Sequence, residues 1–229
     1  RHLAPMLDLY KKALDLSAKG IPVVISSVIH TLGSTPQKAG SQALLDAKGT
    51  LIGTLGGGMV EADGIERMEK ALADKAPSQH EYRLDEEYSR EAGPICGGTM
   101  RFYTQPCIEN HSKAITDAIE AFEASQRGLL VTHLDGARKD QMSWIPEASL
   151  NGTDEFPTSQ QLTDCLNLET PQVVEDPSGA EAYLEPVVPT PRLLIVGGGH
   201  VGQAVAHQAR QCGFDITVYD DREEFVAPK

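Results

Sequence analysis

The segment that most constrains the fold is residues 192–222, which read RLLIVGGGHVGQAVAHQARQCGFDITVYDDR. An apolar run at 193–196 precedes a glycine turn, a helical pattern and a second strand pattern, an order typical of a parallel βαβ unit. The G-x-G-x-x-G spacing of dinucleotide-binding turns is present at Gly197, Gly199 and Gly202. This spacing predicts a tight turn at the first glycine, close approach of backbone to a pyrophosphate at the second, and close packing of helix on strand at the third.

The residues around this turn indicate which ligand it prefers. Asp220 ends the second strand pattern about 20 residues after the turn, where a carboxylate accepts hydrogen bonds from ribose hydroxyls and repels a 2′-phosphate. His200 lies inside the turn, either as a helix-start residue with a backbone partner or close to a bound phosphate. The alternative is that the turn only packs a helix on a sheet, in a domain without a nucleotide.

The Rossmann-like segment is short. Only two strands fit into residues 191–229, whereas half of a Rossmann domain needs about three parallel strands to bury its faces. We therefore expect an incomplete Rossmann-like domain that continues beyond Lys229 or is completed by another chain. Its exposed strand edge favours a homodimer.

Composition excludes several classes of function. The net charge of -13 disfavours nucleic acid as a partner, because nucleic-acid readers have clustered Lys and Arg. No apolar run approaches the ~20 residues that span a bilayer, so no membrane partner is expected. The four cysteines have no C-x-x-C pair, which favours a reducing cytoplasm over a secreted disulfide framework. They are Cys96, Cys107, Cys165 and Cys212.

Hydrophobic patterns predict an α/β protein with three parts. Residues 1–142 mix helical and strand patterns and predict an N-terminal α+β domain. Residues 143–190 are rich in Pro, Ser, Thr and Glu and predict a peripheral hairpin and a linker, with an extended connector at 186–191. Residues 191–229 form the Rossmann-like part. Helices are expected at 6–16, 59–73 and 114–124, and strands at 21–29, 43–46, 50–54, 82–84, 100–104, 129–134, 172–174 and 182–186.

The first part contains three glycine-centred segments, G-S-T-P at 33–36, G-T-L-G-G-G-M-V-E at 53–61 and C-G-G at 96–98. Because glycine costs folding entropy, such clusters indicate close backbone approach or positive φ. The free amides at the triple glycine, which opens a predicted helix, are a candidate phosphate cradle. Each segment taken alone favours an ordinary turn or a tight connection.

Together and in this order, these three segments, V-G-G-G-H-V-G and Y-D-D-R resemble the XdhC/CoxI family, accessory proteins for maturation of xanthine dehydrogenase and related molybdenum hydroxylases. The resemblance implies a Rossmann domain that runs beyond Lys229 and binding of the molybdenum cofactor (molybdopterin). It implies protection of the cofactor during installation of a sulfido ligand, and transfer to a molybdenum hydroxylase apoenzyme. A cysteine desulfurase would be the second protein partner. The chain departs from the family pattern at Gln37, where Arg is usual, and at Gln42, where a basic residue is frequent; Lys38 is a candidate to replace the charge.

The chemistry of molybdopterin suggests candidate residues. Its phosphate, polar pterin and soft metal-dithiolene centre need backbone amides, hydrogen-bonding side chains and a thiolate. Cys96, beside two glycines, is the candidate thiol for the metal centre or its sulfido ligand, and a buried structural thiol is the alternative. The other candidates are Ser34, Thr35 and Thr54 for the pterin and Gly56, Gly57 and Gly58 for the phosphate.

Three classes of function are consistent with these residues. The family resemblance favours a maturation factor, a chaperone without turnover of its own. An NAD(P)-dependent oxidoreductase would use the glycine turn and Asp220, but the first part has no obvious Tyr-Lys or His-Asp catalytic pair. A nucleotide-sensing regulatory module, whose two domains move about the proline connector, is the third.

Overall fold

The computed structural model describes residues 5–84, 97–152 and 155–222. The chain forms two compact units, Arg1–Val188 and Pro189–Lys229. The first unit is α+β and the second is a Rossmann-like parallel βαβ unit, so the predicted α/β class is confirmed. The division between the units lies within the proline-rich segment 186–191.

One sheet of the first unit has five strands in the order β3-β2-β1-β5-β4, with every neighbouring pair antiparallel. β2 and β3 form the predicted hairpin, with Gly49 at positive φ in its turn. β4 begins earlier than its pattern indicates, because its exposed positions alternate with half-buried ones. The strands are β1 (Val23–Leu32), β2 (Gln42–Asp46), β3 (Leu51–Gly53), β4 (Ser78–Arg83) and β5 (Thr99–Pro106).

Helices cover both faces of this sheet. α1 (Pro5–Ala18) and α3 (Ser112–Glu123) pack on one face, and α2 (Gly58–Asp74) packs on the other. The side chains of β1 alternate between the two cores: Ile25 points to α1 and α3, whereas Val24 points to α2. Burial on both faces explains why the start of β1 is continuously apolar.

A second antiparallel sheet has the order β7-β6-β9-β8. It contains β6 (Gly128–His133), β7 (Met142–Pro146), β8 (Gln172–Glu175) and β9 (Glu181–Val187), and α4 (Ser159–Leu168) packs on it. The predicted hairpin β8–β9 is present, but β9 is an inner strand that pairs with β6 on one side and β8 on the other. Described residues between 143 and 188 therefore form part of the core of the first unit, where a peripheral position was expected for 143–190.

α4 is a helix that the composition did not indicate. Its local signals are a capping box between Thr158 and Gln161, and an apolar stripe at Leu162, Cys165 and Leu166 that is buried against the second sheet. Cys165 therefore lies in the core, whereas a peripheral position was expected. In the other unit Cys212 is exposed, not a small core residue, because it follows the last turn of a surface helix.

The second unit consists of β10 (Arg192–Val196), α5 (His200–Gln211) and β11 (Asp215–Tyr219), with the two strands parallel. Coverage of β10 on both faces was expected, but α5 covers one face only. Ile195 beneath the helix is buried, whereas Leu194 and Val196 on the opposite face are 62% and 76% exposed. None of the described helices is long and apolar enough to cross a membrane.

Candidate functional site

The three glycine-centred segments meet at one end of the five-stranded sheet. The 33–36 segment follows β1, and Gly98 immediately precedes β5, which pairs with that end of β1. A β-carbon on Gly33 would lie 3.1 Å from the Gly97 carbonyl oxygen. A β-carbon on Gly98 would overlap the Ser34 carbonyl oxygen and lie 2.8 Å from Thr35 Cγ2. The two loops therefore pack backbone on backbone, as the clustered glycines predict.

The third segment contacts the other side of the same loop. A β-carbon on Gly56 would lie 2.9 Å from Pro36 Cγ, and the backbone of Gly56 has φ +129°. Gly57 and Gly58 also have positive φ, but a β-carbon on either would meet nothing within 4 Å. The 33–36 loop thus lies between the other two segments, although the three are far apart in sequence.

An internal carboxylate bonds to the loop in which the phosphate cradle was expected. Glu61, in the first turn of α2, accepts hydrogen bonds at Oε2 from Thr54 Oγ1 (2.7 Å) and from the Leu55 N–H (3.1 Å). Hydrogen bonds lower the pKa of Glu61. The bond from the Thr54 hydroxyl has the largest effect, followed by those from the backbone N–H groups of Leu55 and Gly57. The Gly56 N–H donates to Thr54 Oγ1 at 3.1 Å. The acid therefore fixes the loop that leads into α2, whereas the helix N-terminus itself has no side-chain cap.

The other candidate residues of this region have different environments. The Thr35 hydroxyl donates to the Gln37 carbonyl oxygen at 2.7 Å, whereas Ser34 is exposed. Cys96 lies outside the described residues; the next residue, Gly97, is exposed. Within the described part of the chain, no group of three or more His, Cys, Asp or Glu side chains is placed to bind a metal ion.

A cleft of 770 Å³ adjoins this region, between α1 and the β2–β3 hairpin. This volume lies within the range of about 300–1,000 Å³ found for small-molecule sites. Its walls are mostly apolar and include Met6, Leu9, Ile52, Pro171 and Pro186. Its polar lining residues are Asp8, Lys12, Gln37, Ser41, Gln42 and Thr54. Gln37 directly follows the 33–36 segment, and Thr54 lies within the 53–61 segment. The cleft and the glycine loops therefore form one continuous candidate site.

A buried polar network lies beside this cleft. Glu185 on β9 is 1% exposed and accepts hydrogen bonds from the Tyr10 hydroxyl (2.9 Å) and Gln42 Nε2 (2.8 Å). Burial raises the pKa of Glu185 to about 7. Gln42 Nε2 also lies 3.0 Å from Ser27 Oγ, whereas Gln42 Oε1 is buried and has no partner among the described residues. A buried acceptor without a partner costs about 1–3 kcal/mol.

The sequence did not indicate this network. Glu185 lies in a strand pattern of otherwise ordinary appearance, and its partner Gln42 is 143 positions away. The available signal was an acid within the predicted strand 182–186, directly after inward-pointing apolar residues. Glu185 is buried because β9 is an inner strand of its sheet.

In the second unit the three glycines have the geometry that their spacing predicts. Gly197 has φ +105°, and a β-carbon on Gly202 would overlap the Gly197 carbonyl oxygen, so strand and helix pack in direct contact. A β-carbon on Gly199 would meet nothing within 4 Å, which leaves the backbone open to approach. Gly199 precedes α5 without a side-chain cap, and the exposed His200 is the first residue of the helix. The start of α5 therefore has neither a side-chain cap nor a side chain that would block approach to the Gly199 backbone.

Asp220 is engaged within the unit. Its carboxylate accepts hydrogen bonds from the Gly198 N–H (2.6 Å) and from Arg222 Nε (2.9 Å), and its side chain is 2% exposed. The Arg222 guanidinium, followed by the backbone N–H groups of Arg222 and Gly198, holds the pKa of Asp220 well below its usual range. Asp220 thus fixes the glycine turn, and Arg222 offsets the charge that was expected to repel a 2′-phosphate.

Two family models match the chain. The model of the XdhC and CoxI family matches residues 16–83, and that of the XdhC Rossmann domain matches residues 193–229. The first match contains two of the three glycine-centred segments, and the second contains the glycine turn and Asp220.

Known proteins show similarity along nearly the whole chain. The uncharacterized protein YqeB of Escherichia coli (strain K12) is 31% identical over 97% of this chain and 26% of its own length. A probable xanthine dehydrogenase subunit of Bacillus subtilis (strain 168) is 24% identical over 88% of this chain and 60% of its own length. The chain therefore spans between about a quarter and three fifths of these relatives.

A solved structure has the same fold. The crystal structure of a xanthine dehydrogenase from Bacillus halodurans aligns with a TM-score of 0.65 and 20% identity, over 97% of this chain and 64% of the other. The first model matches within the N-terminal α+β unit, and the second matches within the Rossmann-like unit. The family models therefore place residues 16–83 in the XdhC and CoxI family and residues 193–229 in the XdhC Rossmann domain.

Proposed function

We propose that this chain is an accessory protein that binds the molybdenum cofactor and assists its sulfuration and insertion into a xanthine dehydrogenase-type molybdenum hydroxylase. The main support is the convergence of three glycine-centred loops beside a cleft of 770 Å³. The family-model matches and the name of the Bacillus subtilis relative support the link to such an enzyme.

The residues present fit the pterin better than the phosphate of molybdopterin. The cleft has the size, the apolar walls and the polar side chains that a ring system with a polar edge needs. The amides of Leu55 and Gly56, in contrast, already donate to Glu61 and Thr54. We therefore assign the pterin to the cleft and give the triple glycine a role in shaping the neighbouring loop. When bound, the cofactor supplies a redox-active molybdenum centre with a terminal sulfido ligand.

The chain's own residues hold and shield this ligand. Met6 and Leu9 of α1 form an apolar wall that limits access of water, and Gln37 and Gln42 offer polar groups to the pterin. Cys96 is proposed as a thiol contact to the metal centre or its sulfido ligand, since it directly precedes the glycine pair that packs on the 33–36 loop. Binding, protection and release need no turnover, which is the behaviour of a chaperone.

The proposal includes the protein partners that the family implies. A molybdenum hydroxylase apoenzyme receives the cofactor, and a cysteine desulfurase supplies the sulfur. We also propose a homodimer, for which the apolar face of β10, with Leu194 and Val196 exposed, offers a surface.

A second candidate function is an NAD(P)-dependent oxidoreductase. It is favoured by the open backbone at Gly199 and the uncapped start of α5. Within the maturation factor, the same geometry supports a site for a dinucleotide of the NAD type in the second unit.

A reconstitution assay tests the main proposal. The purified chain is loaded with molybdenum cofactor and mixed with a xanthine dehydrogenase apoenzyme, and recovery of hydroxylase activity is compared with that obtained from free cofactor. We expect faster and more complete recovery with the loaded chain, and no oxidation of NADH by the chain alone. Equal recovery with and without the chain contradicts the proposal, and turnover of NADH supports the oxidoreductase.

A further inference from the structure

We infer that the second unit selects a dinucleotide that carries a phosphate on the 2′-hydroxyl of its adenine ribose, with Arg222 as the residue that makes the selection. The inference rests on the dinucleotide site proposed for this unit and does not depend on the molybdenum cofactor. It reverses the expectation drawn from the position of Asp220 after the second strand, where a carboxylate accepts the ribose hydroxyls and repels such a phosphate.

The acceptor positions of Asp220 are already used inside the unit. A carboxylate has two oxygens with about four lone-pair sites. Oδ1 accepts hydrogen bonds from the Arg222 backbone N–H (3.0 Å) and from Arg222 Nε (2.9 Å). Oδ2 accepts from the Gly198 N–H (2.6 Å) and from Arg222 Nη2 (3.1 Å). Since the side chain is also only 2% exposed, ribose hydroxyls can reach Asp220 only by displacing bonds that hold the glycine turn.

Asp220 has a different task, which is to position the turn. The Gly198 N–H donates to Asp220, and the Gly198 carbonyl oxygen accepts from Gln203 Nε2 at 2.9 Å. The backbone of Gly198 is therefore held on both sides, from the end of β11 and from α5. Recognition of the ribose is left to another residue.

Arg222 presents a cation at this position. Its guanidinium donates to Asp220 from Nε and Nη2, which uses two of its five N–H groups. This two-point contact fixes the plane of the group and directs the other N–H groups away from Asp220. The Arg222 side chain is 56% exposed, so an added phosphate can approach it from solvent. Because Arg222 holds the pKa of Asp220 well below its usual range, the acid stays charged and keeps the guanidinium in place.

The local charge favours a phosphate at this point. The pair of Asp220 and Arg222 has no net charge, which offsets the repulsion that an isolated carboxylate would exert. A guanidinium binds phosphate oxygens through charge-assisted hydrogen bonds, and its planar fork matches their geometry. Asp221 Oδ1 lies 3.8 Å from Arg222 Nε, but its side chain is 92% exposed, so water and salt screen its repulsion.

Asp221 also gives the competing prediction. If this exposed carboxylate accepted the ribose hydroxyls in place of Asp220, the unit would prefer NAD. We favour the phosphate because Asp220 holds the Arg222 guanidinium in place, whereas the exposed Asp221 side chain would have to be ordered on binding.

Calorimetric titration of the full chain with NADP and NAD tests the inference. We expect NADP to bind at least about tenfold more tightly than NAD at low salt, and the ratio to fall as ionic strength rises. Adenosine 2′,5′-bisphosphate and adenosine 5′-phosphate differ only in the 2′-phosphate and should show the same order. Both comparisons use the wild-type chain, so they do not depend on the folding of a variant.

The Arg222→Gln variant removes the cation and keeps a polar side chain. We expect it to weaken NADP binding at least about tenfold and NAD binding by less than about twofold, so that the preference is lost. The matched control is Arg210→Gln, which removes a cation from the last turn of α5, at the opposite end of the helix from the glycine turn, and should keep the preference. Asp221→Asn should leave NAD binding unchanged.

The outcomes separate the inference from the proposed function. NAD bound as tightly as NADP, equal losses of both ligands in Arg222→Gln, or weaker NAD binding by Asp221→Asn overturns the inference and leaves the dinucleotide site in place. Binding of neither dinucleotide by the wild type removes the site together with the inference. Retention of molybdenum cofactor by the same proteins reports separately on the maturation function.

Discussion

The carbonyl oxygen of Ser34 occupies the space in which a β-carbon on Gly98 would lie, so the loop after β1 and the start of β5 can meet only when residue 98 is glycine. The same β-carbon would lie 2.7 Å from the Leu32 carbonyl oxygen. Neither contact is with the end of a flexible side chain, so the clash is relieved only by moving backbone. The junction of two glycine-centred loops is therefore sensitive to a single methyl group.

The Gly98→Ala variant tests this junction. We expect it to lower the free energy of unfolding by about 1–3 kcal/mol, as overpacking does, and to reduce retention of molybdenum cofactor. The matched control is Gly97→Ala, because a β-carbon there meets nothing within 4 Å. It should stay within about 0.5 kcal/mol of the wild type in urea denaturation. Equal stability and equal cofactor content of the two variants would show that the junction is not required.

In the glycine turn of the second unit, alanine at Gly199 and alanine at Gly202 should have different effects on folding. Gly199 has φ −67° and open space at its β-carbon position, so Gly199→Ala should fold normally. In the proposed dinucleotide site its methyl group would lie between the backbone and the pyrophosphate, and we expect at least about tenfold weaker NAD binding by calorimetry. In Gly202→Ala the new methyl overlaps the Gly197 carbonyl oxygen, so both NAD binding and thermal stability of this unit should fall. Unchanged NAD affinity in Gly199→Ala contradicts the pyrophosphate assignment.

Glu185 predicts an unusual dependence of stability on pH. Its pKa is raised by burial from 4.5 to about 7, so the folded chain binds a proton at Glu185 that the unfolded chain has already released between these pH values. The free energy of unfolding should therefore fall by about 3 kcal/mol from this group as pH rises through that window. The Glu185→Gln variant lacks the proton equilibrium, so the stability difference between variant and wild type should change by this amount between pH 4.5 and pH 7.5. A constant difference would show that Glu185 titrates normally.

Glu61 should have the opposite effect on how the free energy of unfolding depends on pH. Hydrogen bonds from Thr54 and from backbone N–H groups lower its pKa, so its contribution to stability is full above the ordinary pKa of a glutamate and is lost as pH falls. The Glu61→Ala variant should lose about 0.5–1.5 kcal/mol at pH 7, the usual net contribution of a hydrogen bond, and less at pH 3. Denaturation curves at the two pH values provide the check. A variant as stable as the wild type at pH 7 would mean that Glu61 does not hold the triple-glycine loop.

Local patterns were sufficient for much of this fold. The β2–β3 hairpin, α1 and the βαβ unit follow from apolar periodicity and from glycines at turns, because these features depend on residues close together in sequence. The close approach of loops at Gly33, Gly56 and Gly98 was likewise expected from their composition.

The features that sequence reasoning missed depend on long-range pairing. The inner position of β9 follows from its pairing with β6, which no local pattern records. Glu185 becomes a buried acid only because this pairing brings it to Tyr10, 175 positions away. The hydrogen bonds of Glu61 to the loop before α2 could have been predicted from sequence, since acids are frequent in the first turn of a helix.

The most direct test of the central claim is the molybdenum and pterin content of the chain after co-expression with the pathway that makes the cofactor. Metal analysis and pterin fluorescence are measured on the same purified wild type, Gly98→Ala and Gly97→Ala proteins. The account predicts stoichiometric molybdenum and pterin in the wild type and in Gly97→Ala, and a marked loss of both in Gly98→Ala. A wild-type chain without either, or equal contents in all three proteins, would contradict it.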